Sequence, residues 1–313
     1  LSGMSSGFCF LGCVVVASRW FPPEKMGQII GVVVTMAMLG GALAQEPMVI
    51  LIGQFGWQQA IFLTGLFGIA LWFLMFLGLS DTPKARVFQP EAQMTVDDLS
   101  KSFVAATSNP QNWFCGLYTS LMNIMIMVMG AVWGAAYLEN VHGLTHHQAN
   151  EVTFLIFIGT MIGSPLAGVL SDRIKKRKIV MQAGAITSLI IAIAIIYVPQ
   201  HSFLSLMILF LGLGITTSTQ VISYPVIAES NLSRNTGVSE ALASFLIMGG
   251  GAISQNLYGF MMNLHSSGSF FLHSQYVYRA SDYQYGFWLV PLAFIISLLF
   301  SFLVKETNAK SIV

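Results

Sequence analysis

Residues 179–198, IVMQAGAITSLIIAIAIIYV, form a stretch of twenty residues without a single Asp, Glu, Lys or Arg. A helix needs about 20 predominantly apolar residues to cross the roughly 30 Å hydrocarbon core of a bilayer. The run at 190–196 is continuously apolar, whereas a transmembrane β-strand alternates apolar and polar residues over about ten positions. The stretch therefore predicts a helix that spans a membrane.

The composition of the chain agrees with this prediction. Only 9% of the 313 residues are charged, 55% are hydrophobic, and the mean hydropathy is +0.72. The balance of 14 Lys and Arg against 13 Asp and Glu argues against a nucleic-acid-binding protein, which needs surplus positive charge to neutralise phosphates. The apolar content excludes a disordered chain, and 3 Cys do not make a disulfide framework. A polytopic membrane protein built only of helices remains.

Other charge-free gaps along the chain extend the prediction to nine transmembrane helices. The longest gap, 179–228, is interrupted by Pro199 and the polar residues 200–202, so it holds two spans. The predicted spans are 1–18, 28–52, 58–79, 112–138, 152–170, 179–198, 203–226, 238–262 and 284–304.

The basic residues predict how these helices are oriented. Of the 14 Lys and Arg, all but Arg279 fall on one side of the predicted membrane. Cytoplasmic loops carry an excess of Lys and Arg, so this basic side and the C-terminus are predicted to be cytoplasmic, with residue 1 outside. The basic side holds the loops 19–27, 80–111, 171–178 and 227–237 and the tail 305–313.

The longest loop divides the chain into unequal parts, with three predicted spans before it and six after it. Within this loop, Leu99 and Phe103 beside charged neighbours favour a short amphipathic helix at the membrane surface. The predicted organisation is a partial N-terminal bundle at 1–79, a cytoplasmic linker at 80–111, a six-helix C-terminal bundle at 112–305 and a cytoplasmic tail at 306–313.

Residues 168–178, GVLSDRIKKRK, resemble the signature loop of the major facilitator superfamily (MFS) of transporters, Gly-x-Leu-Ala/Ser-Asp-Arg-x-Gly-Arg-Arg/Lys. That loop joins the second and third helices of each half of the family's fold, which is its place here, although Lys175 stands where the family usually has Gly. The resemblance implies an all-α membrane fold of twelve helices in a cell (inner or plasma) membrane. The nine predicted spans then correspond to helices four to twelve, with the first three missing.

The resemblance also implies a cluster of charges that holds the cytoplasmic side closed in one state. Its expected members are Gly168, Asp172, Arg173, Glu229 and Arg234. A carboxylate at residue 172 can accept backbone N–H bonds from the N-terminus of a neighbouring helix. The alternative is that the cations of this loop only set the topology and bind anionic lipid.

Glu46 is an acid well inside a predicted span. An ionisable group is costly to bury in lipid, so it indicates a site for proton coupling or for a substrate ammonium group. The alternative is an acid at the outer interface that water satisfies. Antiporters of the resembled family often carry a Gly-Pro pair in the equivalent helix, and residues 41–47 lack it, which favours a symporter or a uniporter.

By the same resemblance, the first helix of each three-helix unit lines a central cavity. Hydroxyl and amide groups on such helices can replace the hydration shell of a polar solute. The alternative for each residue is a hydrogen bond between helices. The expected cavity residues are Tyr118, Asn123, Trp133, Tyr137, Gln220 and Tyr224.

Together these features predict secondary active or facilitative transport of a small polar organic solute by alternating access. An amino acid, a short peptide and an organic anion are the candidate solutes. The sequence contains no Gly-x-x-x-x-Gly-Lys-Ser/Thr loop, so no nucleotide or other cofactor is expected.

The expected partners are the solute, a co-transported proton as one option, and membrane lipid, around a monomer without nucleic acid or metal. The protein is not expected to be an enzyme, since an enzyme needs several acids, His or Cys that converge at one depth. An intramembrane enzyme, or a receptor or sensor that does not transport, is the alternative.

Overall fold

The computed structural model describes residues 12–14, 16–17, 20–21, 25–78, 96–197, 202–266, 270–272 and 275–310. The predicted first span therefore lies largely outside the described residues, as does the first half of the predicted linker.

Helices account for nearly all of the described chain. They are α1 (Met26–Gly78), α2 (Val96–Ser108), α3 (Pro110–Ile124), a π-helical segment (Met125–Trp133), α4 (Gly134–His142), α5 (His146–Ile174), α6 (Arg177–Tyr197), α7 (Phe203–Thr217), a 3₁₀ segment (Ser218–Ile222), α8 (Ser223–Glu229), α9 (Ser233–His265), α10 (Ala280–Phe287) and α11 (Leu289–Leu303).

Within the described residues, 7 helical stretches are long and apolar enough to cross a membrane, and the shorter Met26–Gly40 is apolar as well. The chain is therefore a multi-pass membrane protein, while the total of nine spans stays a prediction. The 7 stretches are Leu51–Gly78, Pro110–His142, His146–Ile174, Arg177–Tyr197, Phe203–Glu229, Arg234–His265 and Ala280–Leu303.

The start of α3 illustrates how local sequence fixes the ends of these helices. Asn109 precedes the helix, and its side chain accepts a hydrogen bond from the backbone N–H of Gln111 at 3.0 Å. Pro110 occupies the first helical position, where a missing N–H has no consequence. The predicted span at 112–138 thus begins two residues earlier, because capping chemistry rather than hydrophobicity decides where the helix starts.

Helix α1 runs through two of the predicted spans without a loop between them. Its helical geometry is broken at Gly56, with φ 79° and ψ 162°, a conformation that glycine adopts at little steric cost. A single residue therefore takes the place of the loop expected at 53–57.

Helix α5 lies against both α1 and α7, and glycine makes its contact with α1 close. A Cβ added to Gly168 of α5 would lie 2.2 Å from the carbonyl oxygen of Gly27 in α1. One turn further along α1, a Cβ added to Gly31 would lie 2.5 Å from the carbonyl oxygen of Ser164. Small residues of this kind let helix backbones approach each other, which is how helices associate in lipid.

Two of the membrane stretches change helix type near their middle, which the sequence did not predict. The π-helical segment Met125–Trp133 follows α3, and the 3₁₀ segment Ser218–Ile222 follows α7. Such segments shift the backbone hydrogen bonds, and they often mark functional sites. The amide of Gln255 in α9 donates to the carbonyl oxygen of Met127 at 2.9 Å and so satisfies one backbone group of the π-helical segment.

A short antiparallel hairpin lies in the connection between α9 and α10. It pairs β1 (Phe270–Leu272) with β2 (Gln275–Val277). Aromatic and β-branched residues are enriched in strands, and this segment carries Phe270, Phe271, Tyr276 and Val277. The predicted all-α membrane fold is confirmed, and the hairpin is a small addition to it that the sequence analysis did not include.

Replacing Gly168 with Ala is expected to push α1 away from α5, because the added Cβ meets backbone that cannot move aside. Over-packing of this kind destabilises proteins by roughly 1–3 kcal/mol, so the melting temperature of the detergent-purified protein should fall. Gly40→Ala in α1 is the matched control, since a Cβ there meets no described atom within 4 Å. Equal melting temperatures for the two variants would contradict the close contact.

Candidate functional site

The guanidinium of Arg177 forms the centre of a buried charge cluster at the basic end of the bundle. Arg177 is the first residue of α6 and is 0% exposed. Its Nη2 donates to Glu229 Oε1 at 2.7 Å, and its Nη1 donates to Ser171 Oγ at 3.0 Å and to Asp172 Oδ1. We call Ser171, Asp172, Arg177, Glu229 and Thr307 the Arg177 cluster.

Local backbone geometry places Arg177 in this position. Helix α5 ends at Ile174, and the next residue, Lys175, has left-handed angles of φ 55° and ψ 32° and donates its N–H to the carbonyl of Ser171. The left-handed turn expected of a glycine is therefore made by lysine, at a steric cost of about 1 kcal/mol. The chain reverses there, and α6 starts two residues later with Arg177 facing the bundle interior.

Asp172 connects the Arg177 cluster to α1. Its Oδ2 accepts a hydrogen bond from the backbone N–H of Gln28 at 2.9 Å, in the first turn of α1. A helix N-terminus has unpaired N–H groups and a partial positive charge, so a carboxylate stabilises it. The same carboxyl group therefore contacts both a helix end from the predicted N-terminal bundle and the guanidinium of the C-terminal bundle.

The residues after α11 fold back onto the Arg177 cluster. Glu306 accepts hydrogen bonds from the backbone N–H groups of Arg177 and Lys178, at 2.8 and 3.0 Å, and so caps α6. Thr307 donates its hydroxyl hydrogen to Glu229 Oε2. The tail thereby holds the start of α6 and the end of α8 together.

The structure brings together two of the five residues predicted for a gate, since Asp172 and Glu229 both contact the guanidinium of Arg177. Gly168 lies one turn before Asp172 and packs against Gly27 of α1, whereas Arg173 and Arg234 are exposed at the surface. Sequence reasoning missed Arg177 because the loop carries five cations in six positions. Their order along the chain does not show which one turns inward.

Three of the aromatic residues predicted for the cavity are engaged inside the C-terminal bundle. The Tyr118 hydroxyl donates to the carbonyl of Met181 at 2.9 Å and lies 3.0 Å from Thr219 Oγ1. Tyr137 is buried against Phe287, with ring centroids 4.8 Å apart. Trp133 donates its indole N–H to the carbonyl of Gln255 at 3.3 Å. In this conformation these polar groups serve contacts between helices.

The other three predicted cavity residues lie beside the irregular segments. Asn123 lies in the last turn of α3, two residues before the π-helical segment begins, and Gln220 lies within the 3₁₀ segment. Both are nearly buried, and their side-chain amides make no hydrogen bond within the described residues. Thr119, one turn before Asn123, donates to the Gln220 carbonyl at 3.1 Å, so α3 and the 3₁₀ segment are in contact. Tyr224 follows in α8 and is buried.

The predicted coupling residue, Glu46, lies on α1, and its side chain falls outside the described residues. Its role stays a prediction.

Comparison with known proteins places the chain in one family. The family model described as Major Facilitator Superfamily matches residues 1–255. A probable hexose phosphate transport protein of Chlamydia muridarum is 27% identical over 57% of this chain and 44% of its own length. The hexuronate transporter of Bacillus subtilis is 22% identical over 87% of this chain and 67% of its length. The membrane sensor protein UhpC of Salmonella typhimurium is 24% identical over 56% of this chain and 42% of its own length.

A solved structure has the same fold. A bacterial homologue of the iron transporter ferroportin, in an outward-facing state, superposes with a TM-score of 0.62 at 14% identity. The match covers 91% of this chain and 65% of that structure. The chain spans about half the length of most curated relatives that it matches.

Replacing Arg177 with Met is expected to destabilise the protein strongly, because Glu229 and Asp172 lose the charge that balances them. Removing one partner of a buried ion pair costs roughly 3–5 kcal/mol. The exposed Arg173→Met is the matched control and should change stability by no more than about 0.5 kcal/mol. Melting temperature and the monodisperse fraction after size-exclusion chromatography measure both.

The double variant Arg177→Met, Glu229→Met adds a second control. It should be more stable than Arg177→Met alone, since it removes the unpaired carboxylate. Equal losses for Arg177→Met and Arg173→Met would contradict the central place of Arg177.

Proposed function

Because this chain belongs to the Major Facilitator Superfamily, we propose that it transports a small organic anion, such as a sugar phosphate or sugar acid, by alternating access. The observation that carries the proposal is the contact between Asp172 and the first turn of α1. This contact joins the two parts that rock against each other in such a mechanism.

The arrangement of charges suits a contact that must open and close repeatedly. Asp172 lies on α5, Arg177 on α6 and Glu229 on α8. Because these three helices belong to one predicted bundle, the ion pairs between them stay within that bundle. When α1 moves away, the hydrogen bond between Asp172 and Gln28 breaks and the buried guanidinium keeps both carboxylates. Opening therefore breaks this charge-assisted hydrogen bond, worth about 1.5–3 kcal/mol, and the neutral one from the Thr35 hydroxyl of α1 to the Met161 carbonyl of α5, but no buried ion pair.

The named relatives support an anionic solute. Hexose phosphates and hexuronates both combine hydroxyl groups with a negative charge. They favour an organic anion over the amino acids and short peptides that the sequence left open. The amides of Asn123 and Gln220 make no hydrogen bond to any residue that the structure describes, so they can donate to and accept from the hydroxyl groups of such a solute. Their places beside the two irregular segments match the discontinuous helices at which transporters bind substrates.

The basic end of the bundle is proposed to face the cytoplasm. The Arg177 cluster and the exposed Arg173, Lys175 and Lys176 lie at this end, as the positive-inside rule requires. In the described conformation α1 and α5 are in contact here, so the cytoplasmic side is closed between these two helices.

A sensor that binds a solute without moving it is the second candidate. The similarity to the sensor protein UhpC favours it, although the identity is 24%. Both candidates use a solute site, and uptake separates them.

The full-length protein in liposomes is expected to take up at least one of three labelled probes: glucose 6-phosphate, glucuronate or galacturonate. Asp172→Asn should slow that uptake about fivefold, because the amide lacks the charge that holds the N-terminus of α1, worth roughly 1 kcal/mol. The abundance of the Asp172→Asn variant in the membrane should equal that of the wild type. Glu151→Gln, an exposed acid at the opposite end, is the control and should transport normally.

Two results would contradict the proposal. Thermal stabilisation by a probe without any uptake would favour the sensor. Normal uptake by Asp172→Asn would remove the role of Asp172 in the gate.

Orientation can be measured by cysteine labelling in a variant whose three native cysteines are replaced. A membrane-impermeant maleimide should label Asn140→Cys in intact cells, because Asn140 is exposed at the end opposite to the basic loops. Lys176→Cys, equally exposed, should react only after the membrane is permeabilised. The reverse pattern would overturn the proposed orientation.

A further inference from the structure

A second acid inside the membrane region lies at Glu240 of α9. Sequence reasoning did not single it out, because it is only the third residue of the predicted span 238–262 and borders the charge-free run 241–278. In the structure α9 begins at Ser233, so Glu240 lies about 10 Å along the helix at 1.5 Å per residue. Its side chain is 1% exposed, and neither carboxylate oxygen has a hydrogen-bond partner in the described part of the chain.

The surroundings of Glu240 are polar but carry no opposite charge that the structure describes. Tyr224 of α8 lies close enough to Glu240 for the two groups to interact electrostatically. The hydroxyls of Ser244 and Ser223 are also buried without a partner among the described residues. Tyr224 is thus the titratable group that faces this carboxyl from the adjacent element.

The other polar contacts of this helix are already made. Asn235 accepts from Ser102 of α2 at 2.9 Å, and Ser239 accepts from Asn112 of α3 at 3.1 Å. The buried guanidinium of Arg177 is matched by Asp172 and Glu229. None of the ion pairs in the described residues includes Glu240.

An ionised carboxylate at a buried site without a counter-charge carries a large free-energy cost. Burying an unpaired charge costs several kcal/mol even after relaxation, and more where neither water nor a cation reaches it. A carboxylic acid loses most of that penalty by holding a proton, and it can then donate to a neighbouring oxygen. The geometry therefore fits a carboxyl group that is neutral in this conformation and ionises only when water enters.

On the basis of the proposed function, we infer that Glu240 carries the proton that couples solute movement to a proton gradient. In the described conformation its carboxyl is protonated. When the basic end opens, water reaches it, the O–H bond breaks, the proton passes to water and the carboxylate is hydrated. The cycle closes when the carboxylate takes one proton from water on the other side.

A path from the solute site to this group is short. Gln220, a proposed solute contact, is four residues before Tyr224 on the same membrane stretch, and Tyr224 lies beside Glu240. A solute that shifts the 3₁₀ segment would move Tyr224 relative to the carboxyl group. Proton release and solute release are thereby linked through one helix.

Infrared spectroscopy of the purified full-length protein tests the protonation directly and needs no substrate. The wild type should show a protonated carboxylic acid band that is missing from Glu240→Gln, which has the shape of the protonated acid and should fold. Glu151→Gln should keep the band. Identical bands in wild type and Glu240→Gln would overturn the inference, as would a band that disappears on adding Na⁺, since the site would then hold a cation.

Liposome assays with glucose 6-phosphate and glucuronate test the coupling. Glu240→Gln should retain exchange of external for internal probe but lose accumulation driven by a pH gradient, whereas Glu151→Gln should keep both. Accumulation by Glu240→Gln at the wild-type level would overturn the inference. If the wild type itself exchanges neither probe, the proposed function fails, and the infrared result still decides whether Glu240 holds a proton.

Discussion

The burial of one guanidinium group, that of Arg177, is the constraint around which the basic end of this protein is built. A buried cation is tolerated only when its charge is balanced and its N–H groups are bonded. Two carboxylates and a hydroxyl from two helices, α5 and α8, meet that requirement. Since Arg177 begins α6 and its partners lie at the ends of α5 and α8, the requirement fixes how the ends of these three helices are placed relative to each other. The tail takes part because Glu306 and Thr307 satisfy the remaining groups.

The contact with α1 depends on this constraint and adds another. Asp172 can reach the N-terminus of α1 only because Gly27 and Gly168 let the two backbones touch. Among the described residues the interface is therefore held by close packing and by two hydrogen bonds, while the strong ion pairs stay on one side of it. The first runs from the Gln28 N–H to Asp172, and the second from the Thr35 hydroxyl of α1 to the Met161 carbonyl of α5 at 2.7 Å. Helices that touch through glycine backbones can slide or separate more easily than helices with interlocked side chains. A contact of this kind suits a transporter that must change conformation.

The two buried sites that contain acids, the Arg177 cluster and Glu240, differ in whether their charges are paired. The Arg177 cluster is electrically satisfied, so it is expected to stay intact as the helices move. Glu240 is not satisfied within the described part of the chain, so its charge state must depend on whether water can reach it. The contrast between these two buried acids, Glu229 with its arginine and Glu240 without one, explains why the first is assigned to structure and the second to coupling.

The sequence by itself determined the membrane class, the family and the positions of most membrane helices, because long charge-free runs, clustered cations and the loop motif are visible in the order of residues along the chain. The predicted span 179–198 corresponds to α6 at Arg177–Tyr197, and the signature loop at 168–178 contains three members of the Arg177 cluster. Only the tertiary structure decided which cation is buried, where helices change type and which acid lacks a partner. Whether Arg177 or Arg173 turns inward depends on the left-handed turn at Lys175, and whether Glu240 is paired depends on residues far along the chain. The hydropathy and charge of a segment depend on that segment alone. Whether a buried charge is balanced depends on all the segments that meet at the site.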